Sequence, residues 1–372
     1  MESPLIDWHT QAGAKLADFG GWQMPIEYPK AIGSLKAGGV IAEHTAVREQ
    51  VGIFDVSHLG KIEVSGIGAL QFLNRMITND LNRIGHGSAQ YNLLCEESGG
   101  VVDDLIIYRY DDENFFLIPN AANCASVYEI LVAANDLGLT IKNSHHDFGV
   151  LAVQGPKSKE LLATLGLSAD LDYMAFTEVV IPEHESLGAV IVCRTGYTGE
   201  FGYELIPRWS STLPIWELLV GVVQALGGRV CGLGARDTLR TEMGYPLHGH
   251  ELSLDISPLQ ANTGWAVVLT KSDFRGRENL VAEKSAGVSR ILRGLLSQDR
   301  GIPRGHMSVM DESGAVVGIV TSGTFSPTLK CGIGLALINP DIAIGSELAI
   351  DIRGRASVVK VVKPPFVESH VR

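Results

Sequence analysis

The sequence predicts an α+β protein whose C-terminal part is all β. As far as about residue 286, short apolar strands alternate with helical segments, without the regular strand–helix repeat of a doubly wound sheet. From about Arg290 onward, short β-rich segments recur with turn signals between them, which is typical of a small barrel or sandwich. A chain of 372 residues is long enough for two or three domains with buried cores.

The composition indicates a globular protein that binds neither nucleic acid nor a membrane. Hydrophobic residues make up 45% and charged residues 19% of the chain, which argues against wholesale disorder. The net charge of −12, without any run of lysines or arginines, disfavours a phosphate-backbone partner. No apolar stretch approaches the roughly 20 residues of a membrane helix, and no secretory signal is visible. The five cysteines form no CxxC pair, so we expect reduced thiols, a cytoplasmic location and no metal site.

The N-terminal part alternates short helices and strands. Trp22 lies among glycines, and a core position or a pocket wall would suit it. The segment 52–60 is predicted to be a strand that ends near His58, which can be a base or a structural hydrogen-bond donor. Further helices are predicted at 36–50 and 69–76, and further strands at 61–66, 91–94 and 114–119.

Residues 99–110 carry the most informative local pattern. The pair Gly99 and Gly100 permits a tight turn, and the β-branched and aromatic residues after it predict a strand. Two carboxylates, Asp103 and Asp104, interrupt this strand near its start, and alternation would point them to opposite faces. One would then meet water while the other enters the interior. Spacing alone leaves two roles open, which are local capping of a turn and a functional carboxylate at a pocket mouth.

A further carboxylate is expected to be buried in the middle of the chain. Strands at 151–156 and 189–194 lead to a glycine-rich reversal at 196–204, whose return strand carries Glu204 between apolar neighbours. Helices are predicted at 214–226 and from the segment 232–240, where two glycines match only half of a dinucleotide fingerprint. Arg236 and Arg240 lie one helical turn apart, which fits a solvated face paired with acids such as Glu242.

The C-terminal segment is predicted to be a separate all-β unit. The stretch 283–287 is the best candidate for the linker that precedes it. Its strands are expected at 292–296, 316–321, 332–336, 347–352 and 357–362.

Ten segments, in order along the chain, resemble the aminomethyltransferase (T-protein) family of the glycine cleavage system. Each segment is weak alone, but together they run from about residue 18 to about residue 367, so the resemblance covers essentially the whole chain. They are 18–25, 54–58, 99–106, 154–156, 196–204, 232–240, 257–259, 264–265, 321–329 and 363–367.

The resemblance implies a three-domain cloverleaf around a central channel that binds tetrahydrofolate. A discontinuous folate-binding domain would comprise 1–55 and 147–283, with an α+β domain at 56–146 and a β-barrel domain at 287–372. The implied reaction moves the one-carbon unit from the aminomethyl-lipoyl arm of H-protein to tetrahydrofolate and releases ammonia. Its products are 5,10-methylenetetrahydrofolate and dihydrolipoyl H-protein. We expect a cytoplasmic monomer that takes tetrahydrofolate as co-substrate and holds no metal.

Site residues follow from the same resemblance. Asp104 matches the family's essential aspartate, Glu204 its pterin-binding glutamate and Arg236 the arginine of its Gly-Leu-Gly-Ala-Arg-Asp segment. A carboxylate can accept hydrogen bonds from the amino-amide edge of a pterin. Two roles are open for Arg236, which are binding of the acidic glutamyl tail and orientation of the carboxylates. Asp104 would stabilise positive charge on the one-carbon unit or manage a proton, and sequence leaves both roles open. Further positions expected to line the folate pocket are Leu59, Tyr91, Asn120, Tyr197 and Trp265.

The chain departs from the family in two places. Leu59 stands where the family usually has methionine, a change that conserves volume. The tail after Phe366 lacks the tyrosine that some members place at the folate site.

Two alternative functions use the same scaffold. One is a folate-dependent demethylase of a small-molecule donor, and the other is a non-catalytic folate-binding factor for iron–sulfur assembly. The second carries a Lys-Gly-Cys-Tyr-x-Gly-Gln-Glu type motif, which residues 194–200 do not match. Docking of an acidic carrier protein would need a local basic patch, for which candidates are Arg290, Arg293, Arg300, Arg304 and Lys330.

Overall fold

Helices and strands alternate through most of the chain, in a computed structural model that describes residues 1–33, 37–167, 170–352 and 354–372. Over these residues the helices are α1 (Ile6–Gln11), α2 (Gly39–Glu49), α3 (Ala69–Met76), α4 (Cys124–Ala133), α5 (Ser158–Thr164), α6 (Thr212–Ala225), α7 (Leu233–Met243) and α8 (Arg277–Ala286). The strands are β1 (Lys15–Phe19), β2 (Trp22–Glu27), β3 (Gly52–Asp55), β4 (Ile62–Ser65), β5 (Ser88–Cys95), β6 (Val101–Arg109), β7 (Asn114–Ile118), β8 (Thr140–Asn143), β9 (Leu151–Gln154), β10 (Phe176–Val180), β11 (Ala189–Cys193), β12 (Gly202–Ile206), β13 (Arg229–Cys231), β14 (Ile291–Ser297), β15 (Ser308–Met310), β16 (Val316–Ser326), β17 (Cys331–Ile338), β18 (Glu347–Asp351) and β19 (Ala356–Val362). The predicted helix 36–50 corresponds to α2, and its first position, Lys36, lies outside the described residues.

One sheet has the strand order β10-β11-β12-β9-β3-β13. Its neighbouring strands are antiparallel except that β13 runs parallel to β3. Strands β3 and β9 pair with each other although almost a hundred residues separate them in the chain. The side chains of β9 are buried, and Tyr203, Leu205 and Trp216 pack with them in one hydrophobic core. The mostly antiparallel pairing confirms α+β rather than a doubly wound fold.

The residues between β3 and β9 form a second sheet of order β5-β6-β7-β4-β8. Its first hairpin turns at Gly99, whose φ of 92° is the left-handed conformation that glycine adopts without strain. At Gly100 a Cβ atom would lie 1.8 Å from the carbonyl oxygen of Leu254, so only glycine allows the backbones to approach this closely. The hairpin is therefore held against the segment that follows α7, and this contact positions β6 and its carboxylates.

Strands β14-β17-β16-β15-β18-β19 close into a barrel. Five of these strands overlap the segments predicted from the sequence, which confirms the C-terminal barrel, while the short β15 was not predicted. The predicted linker at 283–287 is wrong, because α8 continues through Ala286 and ends at Gly287, with φ of 84°. Burial of Leu280 in a core shared with the β5–β6 hairpin and the barrel stabilises this helix, a contact that local composition does not reveal.

Trp22 is fully buried, which confirms the core position predicted for it. It packs in one cluster with Phe54 and Val56, and its ring stacks on His146 at 5.4 Å between centroids. None of the helices within the described ranges combines the length and the apolar character needed to cross a bilayer.

Candidate functional site

A cavity of about 1050 Å³ lies where the two sheets, α7, the barrel and the C-terminal segment meet. This volume is in the range of small-molecule and cofactor sites, and its lining combines aromatic walls with a few polar groups. All the site residues predicted from the sequence contribute to this lining, although they come from distant parts of the chain. They are Leu59, Tyr91, Asp104, Asn120, Tyr197, Glu204, Arg236 and Trp265.

Asp104 projects from β6 into the cavity and is half-buried. Its Oδ2 accepts a hydrogen bond from the Tyr91 hydroxyl at 2.9 Å, and its Oδ1 accepts one from Asn120 Nδ2 at 2.9 Å. Burial raises the pKa of the Asp104 carboxyl above its ordinary value, and the bond from Tyr91 partly opposes this shift. The result is a carboxylate that two donors orient toward the cavity.

Asp103 is fully buried and lies outside the cavity lining. Asp103 and Asp104 pair regularly with Leu94 and Leu93, and Asp104 lines the cavity while Asp103 does not, as the predicted alternation requires. Asn120 Nδ2 nevertheless reaches both Asp103 Oδ1, at 2.8 Å, and Asp104 Oδ1.

Glu204 lies on β12 between buried neighbours and is itself half-buried at the cavity. The hydroxyl of Thr195 donates to its Oε2 at 2.5 Å. Within the described part of the chain, the Oε1 atom accepts no hydrogen bond. Glu204 therefore presents an oriented carboxylate with one oxygen available to a donor in the cavity.

Arg236 extends from α7 into the cavity near this carboxylate. Its Cζ lies 4.4 Å from the ring centroid of Tyr197, whose hydroxyl is held by the carbonyl oxygen of Pro246. The Arg236 guanidinium forms no ion pair and no hydrogen bond among the residues that the structure describes. Burial lowers the pKa of the Arg236 guanidinium, whereas the charge of Glu204 raises it. A cation of this kind is available for an acidic ligand.

The solvated face predicted for α7 is wrong. Arg240 is 2% exposed, and its NH1 binds Glu251 Oε2 at 2.9 Å. Glu242 is also buried and pairs with Arg48 at 2.8 Å instead of with either arginine of its own helix. The barrel covers one side of the helix and α2 covers the other. Of the two arginines, Arg236 lines the cavity and Arg240 does not.

An aromatic stack forms one wall of the cavity. The rings of Tyr91 and Trp265 are 5.2 Å apart with an interplanar angle of 29°, and Trp265 is 66% exposed. The stack thus joins the solvent side of the cavity to the tyrosine that binds Asp104. Leu59 contributes an apolar surface elsewhere in the lining.

Several cavity residues were not selected from the sequence. His58 lines the cavity, and burial lowers its pKa to about 3, so its ring is neutral at physiological pH. Its Nδ1 is buried without a partner among the described residues, which argues against a satisfied structural donor. The remaining lining cations, Arg293, Lys363 and Arg372, come from the barrel and the C-terminal segment. Only packing brings them here, and no local pattern around them indicates it.

The chain is similar over its full length to proteins of one family. Residues 5–271 match the GCVT N-terminal domain, and residues 290–368 match the glycine cleavage T-protein C-terminal barrel domain. A protein of Parafrankia sp. (strain EAN1pec) named aminomethyltransferase is 58% identical over 372 residues, covering 100% of this chain and 98% of that protein. One of Mycolicibacterium paratuberculosis with the same name is 54% identical over 374 residues, with the same coverage of 100% and 98%. The crystal structure of the glycine cleavage system aminomethyltransferase T from Bartonella henselae superposes with a TM-score of 0.90 at 31% identity, covering 100% of this chain and 99% of that one.

Proposed function

This chain belongs to the glycine cleavage T-protein family and is an aminomethyltransferase, and we propose that tetrahydrofolate and the aminomethyl-lipoyl arm of an H-protein meet in its cavity. The observation that carries this proposal is the convergence of Asp104, Glu204 and Arg236 on one cavity of about 1050 Å³. The names of the relatives favour this function over demethylation of a small molecule or a role in iron–sulfur assembly.

The cavity suits a pterin in three respects. Glu204 offers a free carboxylate oxygen to the amino-amide edge of the ring, which donates hydrogen bonds. Aromatic and aliphatic side chains, among them Tyr91 and Leu59, supply flat apolar walls. The guanidinium of Arg236 offers positive charge to an acidic ligand, and the glutamyl tail of a folate has such carboxylates.

Asp104 is proposed as the catalytic residue. Transfer breaks the carbon–nitrogen and carbon–sulfur bonds of the donor, and tetrahydrofolate supplies the two nitrogen atoms that bind the carbon. The two hydrogens released from those nitrogens leave as part of ammonia and of the lipoyl thiol, so the reaction needs no oxidant. An anionic carboxylate held by Tyr91 and Asn120 stabilises positive charge that develops on the carbon and can accept a proton.

The domain division is also proposed, with boundaries at 1–55 plus 147–283, 56–146 and 287–372. It is supported by the pairing of β3 with β9 across the intervening sheet and by the closed barrel after α8.

The docking of an H-protein is proposed to use exposed cations near the barrel. Arg300, Arg304 and Lys330 are exposed, as this proposal requires. Arg290 is instead engaged by Gln260 at 3.0 Å, and Arg293 lines the cavity, so these two suit a ligand or the fold better than a partner.

The experiment is a measurement of ammonia release from aminomethyl-loaded H-protein, with and without tetrahydrofolate. We expect release that depends on both, and Asp104→Asn should reduce it by about 10²-fold or more while the melting temperature stays within a few degrees. A free aminomethyl-lipoamide adduct is the control for the donor. Release that is independent of folate, or an active Asp104→Asn variant, would refute the proposed site.

A further inference from the structure

Asp103 is a buried carboxylate that the proposed reaction does not use. Its side chain is 0% exposed, and within the described ranges it forms no ion pair. Three N–H groups bind it instead: the Asn120 backbone N at 2.9 Å from Oδ2, and Asn120 Nδ2 at 2.8 Å and Asn123 Nδ2 at 2.7 Å from Oδ1. Burying a carboxylate without a cation destabilises a fold even when it is hydrogen-bonded, so packing alone does not account for this residue.

Asn120 connects this buried carboxylate to the cavity. Its Nδ2 donates toward Asp103 Oδ1, toward Asp104 Oδ1 at 2.9 Å and toward the Asp104 carbonyl oxygen at 3.1 Å. A primary amide has two N–H bonds, so both are committed to the two aspartates. Only the carbonyl oxygen of the Asn120 side chain remains for a ligand, although the residue lines the cavity.

The three side chains restrict one another. Asp104 cannot rotate its carboxylate without breaking the bond from Asn120 or the bond from Tyr91. Asn120 in turn cannot rotate without leaving Asp103, which its backbone N–H and Asn123 also hold. Asn120, which Asp103 holds in place, therefore orients one oxygen of the Asp104 carboxylate, and Tyr91 orients the other.

We propose that Asp103 is a positioning residue for the transfer reaction, which acts through the Asn120 amide to orient Asp104. This inference rests on the proposed function, because it assigns Asp103 a role only if Asp104 acts in the cavity.

The titration of Asp104 depends on the groups that face it. Tyr91 faces it from β5, Tyr197 from the segment before β12, His248 from the segment after α7 and Asp103 from its own strand. Among these, Asp103 is the other carboxylate, and burial together with the charge of Asp104 raises the pKa of Asp103 to about 7. The two carboxyls therefore titrate as a coupled pair, and replacing Asp103 by a neutral residue should reduce their two titration steps to one.

The test compares Asp103→Asn with the wild-type chain over a pH series of single-turnover transfer. We expect a rate reduced by about 10- to 100-fold, because the carboxylate loses its fixed orientation, with the KM for tetrahydrofolate changed less than threefold. The acid limb of the pH–rate profile should change from that of a coupled pair to that of a single carboxyl. A ¹³C NMR titration of aspartate-labelled protein without substrates should show the same change, with one titration step at the Asp104 carboxyl.

Asp55→Asn is the matched control, because Asp55 is also a fully buried, hydrogen-bonded aspartate but lies outside the cavity lining. It should lower the melting temperature without moving the pH profile. If Asp103→Asn does not fold, Asn120→Ala breaks the same bridge and should give the same loss of rate. A profile of Asp103→Asn that superimposes on the wild type, or losses that match those of Asp55→Asn, would overturn the inference.

If the proposed function itself is wrong, the same experiments give a different set of results. In that case Asp104→Asn would retain activity or the wild type would not release ammonia, while the NMR titration would still measure the coupling between Asp103 and Asp104. An active wild type with an inactive Asp104→Asn, together with a wild-type rate and a wild-type titration in Asp103→Asn, would refute the positioning role alone.

Discussion

Replacement of Glu204 by glutamine tests the proposed folate site most directly. The side chain is half-buried, its Oε2 is occupied by Thr195, and its Oε1 is free to accept a hydrogen bond in the cavity. Glutamine keeps the shape and can keep the bond to Thr195. The remaining position would then present an NH2 donor, without charge, to a ligand edge that also donates.

The expected magnitude follows from the loss of one charge-assisted hydrogen bond. Such bonds contribute about 1.5–3 kcal/mol, and each 1.4 kcal/mol changes an affinity about tenfold. We therefore expect Glu204→Gln to raise the Kd for tetrahydrofolate by about 10- to 150-fold. Arg236→Ala should also weaken binding, and more strongly for a polyglutamylated folate, because its guanidinium lies against the Tyr197 ring but has no anionic partner among the described residues.

The assay is isothermal titration calorimetry with tetrahydrofolate under reducing conditions and without donor. Glu200→Gln is the matched control, since Glu200 belongs to the same glycine-rich segment but pairs with Arg48 at 2.9 Å outside the cavity lining. It should destabilise the fold and leave the Kd unchanged. A Kd for Glu204→Gln within threefold of the wild type, or equal effects of the two substitutions, would refute the assignment of Glu204.

Three further predictions concern the fold and the partner. Gly100→Ala should destabilise the chain by about 1–3 kcal/mol, because the added Cβ would meet the Leu254 carbonyl oxygen, whereas Gly85→Ala, which meets open space, should be close to neutral in chemical denaturation. Despite opposing burial, His9 lowers the pKa of Asp55 to about 2, and His44 likewise lowers the pKa of Glu242 to about 2. Because folding lowers these two pKa values, the ionised carboxylates stabilise the folded state above about pH 4. This contribution is lost as the pH falls toward 2, and the free energy of unfolding should then fall by an amount on the order of 2 kcal/mol per group. If the free energy of unfolding of Asp55→Asn falls as much as that of the wild type between pH 5 and pH 2, Asp55 does not contribute to the acid sensitivity. Transfer from the protein-borne donor should slow as ionic strength rises, whereas transfer from free aminomethyl-lipoamide should not, and equal rates for both donors at every salt concentration would exclude docking.

Features that depend on neighbours in the chain were predictable. The turn at Gly99, the strand after it, most strands of the barrel and the helix that carries Arg236 follow from the spacing of apolar residues and from the conformational freedom of glycine. The candidate residues were also found by their motifs, and the structure brings all of them to one cavity. Their roles in binding and transfer stay predictions until the variants are measured.

What only the tertiary structure decided is which polar groups face one another. The packing of the chain after β7 against β6 lets Asp103 and Asp104 share the amide of Asn120, and the barrel covers Arg240 while leaving Arg236 in the cavity. The predicted linker is the end of α8, because Leu280 finds its core in residues far along the chain. Hydrophobic periodicity and turn chemistry act over a few residues and can be detected in sequence. Burial and hydrogen-bond partners depend on segments that can lie more than two hundred residues apart, such as those of His44 and Thr328, so packing alone determines them.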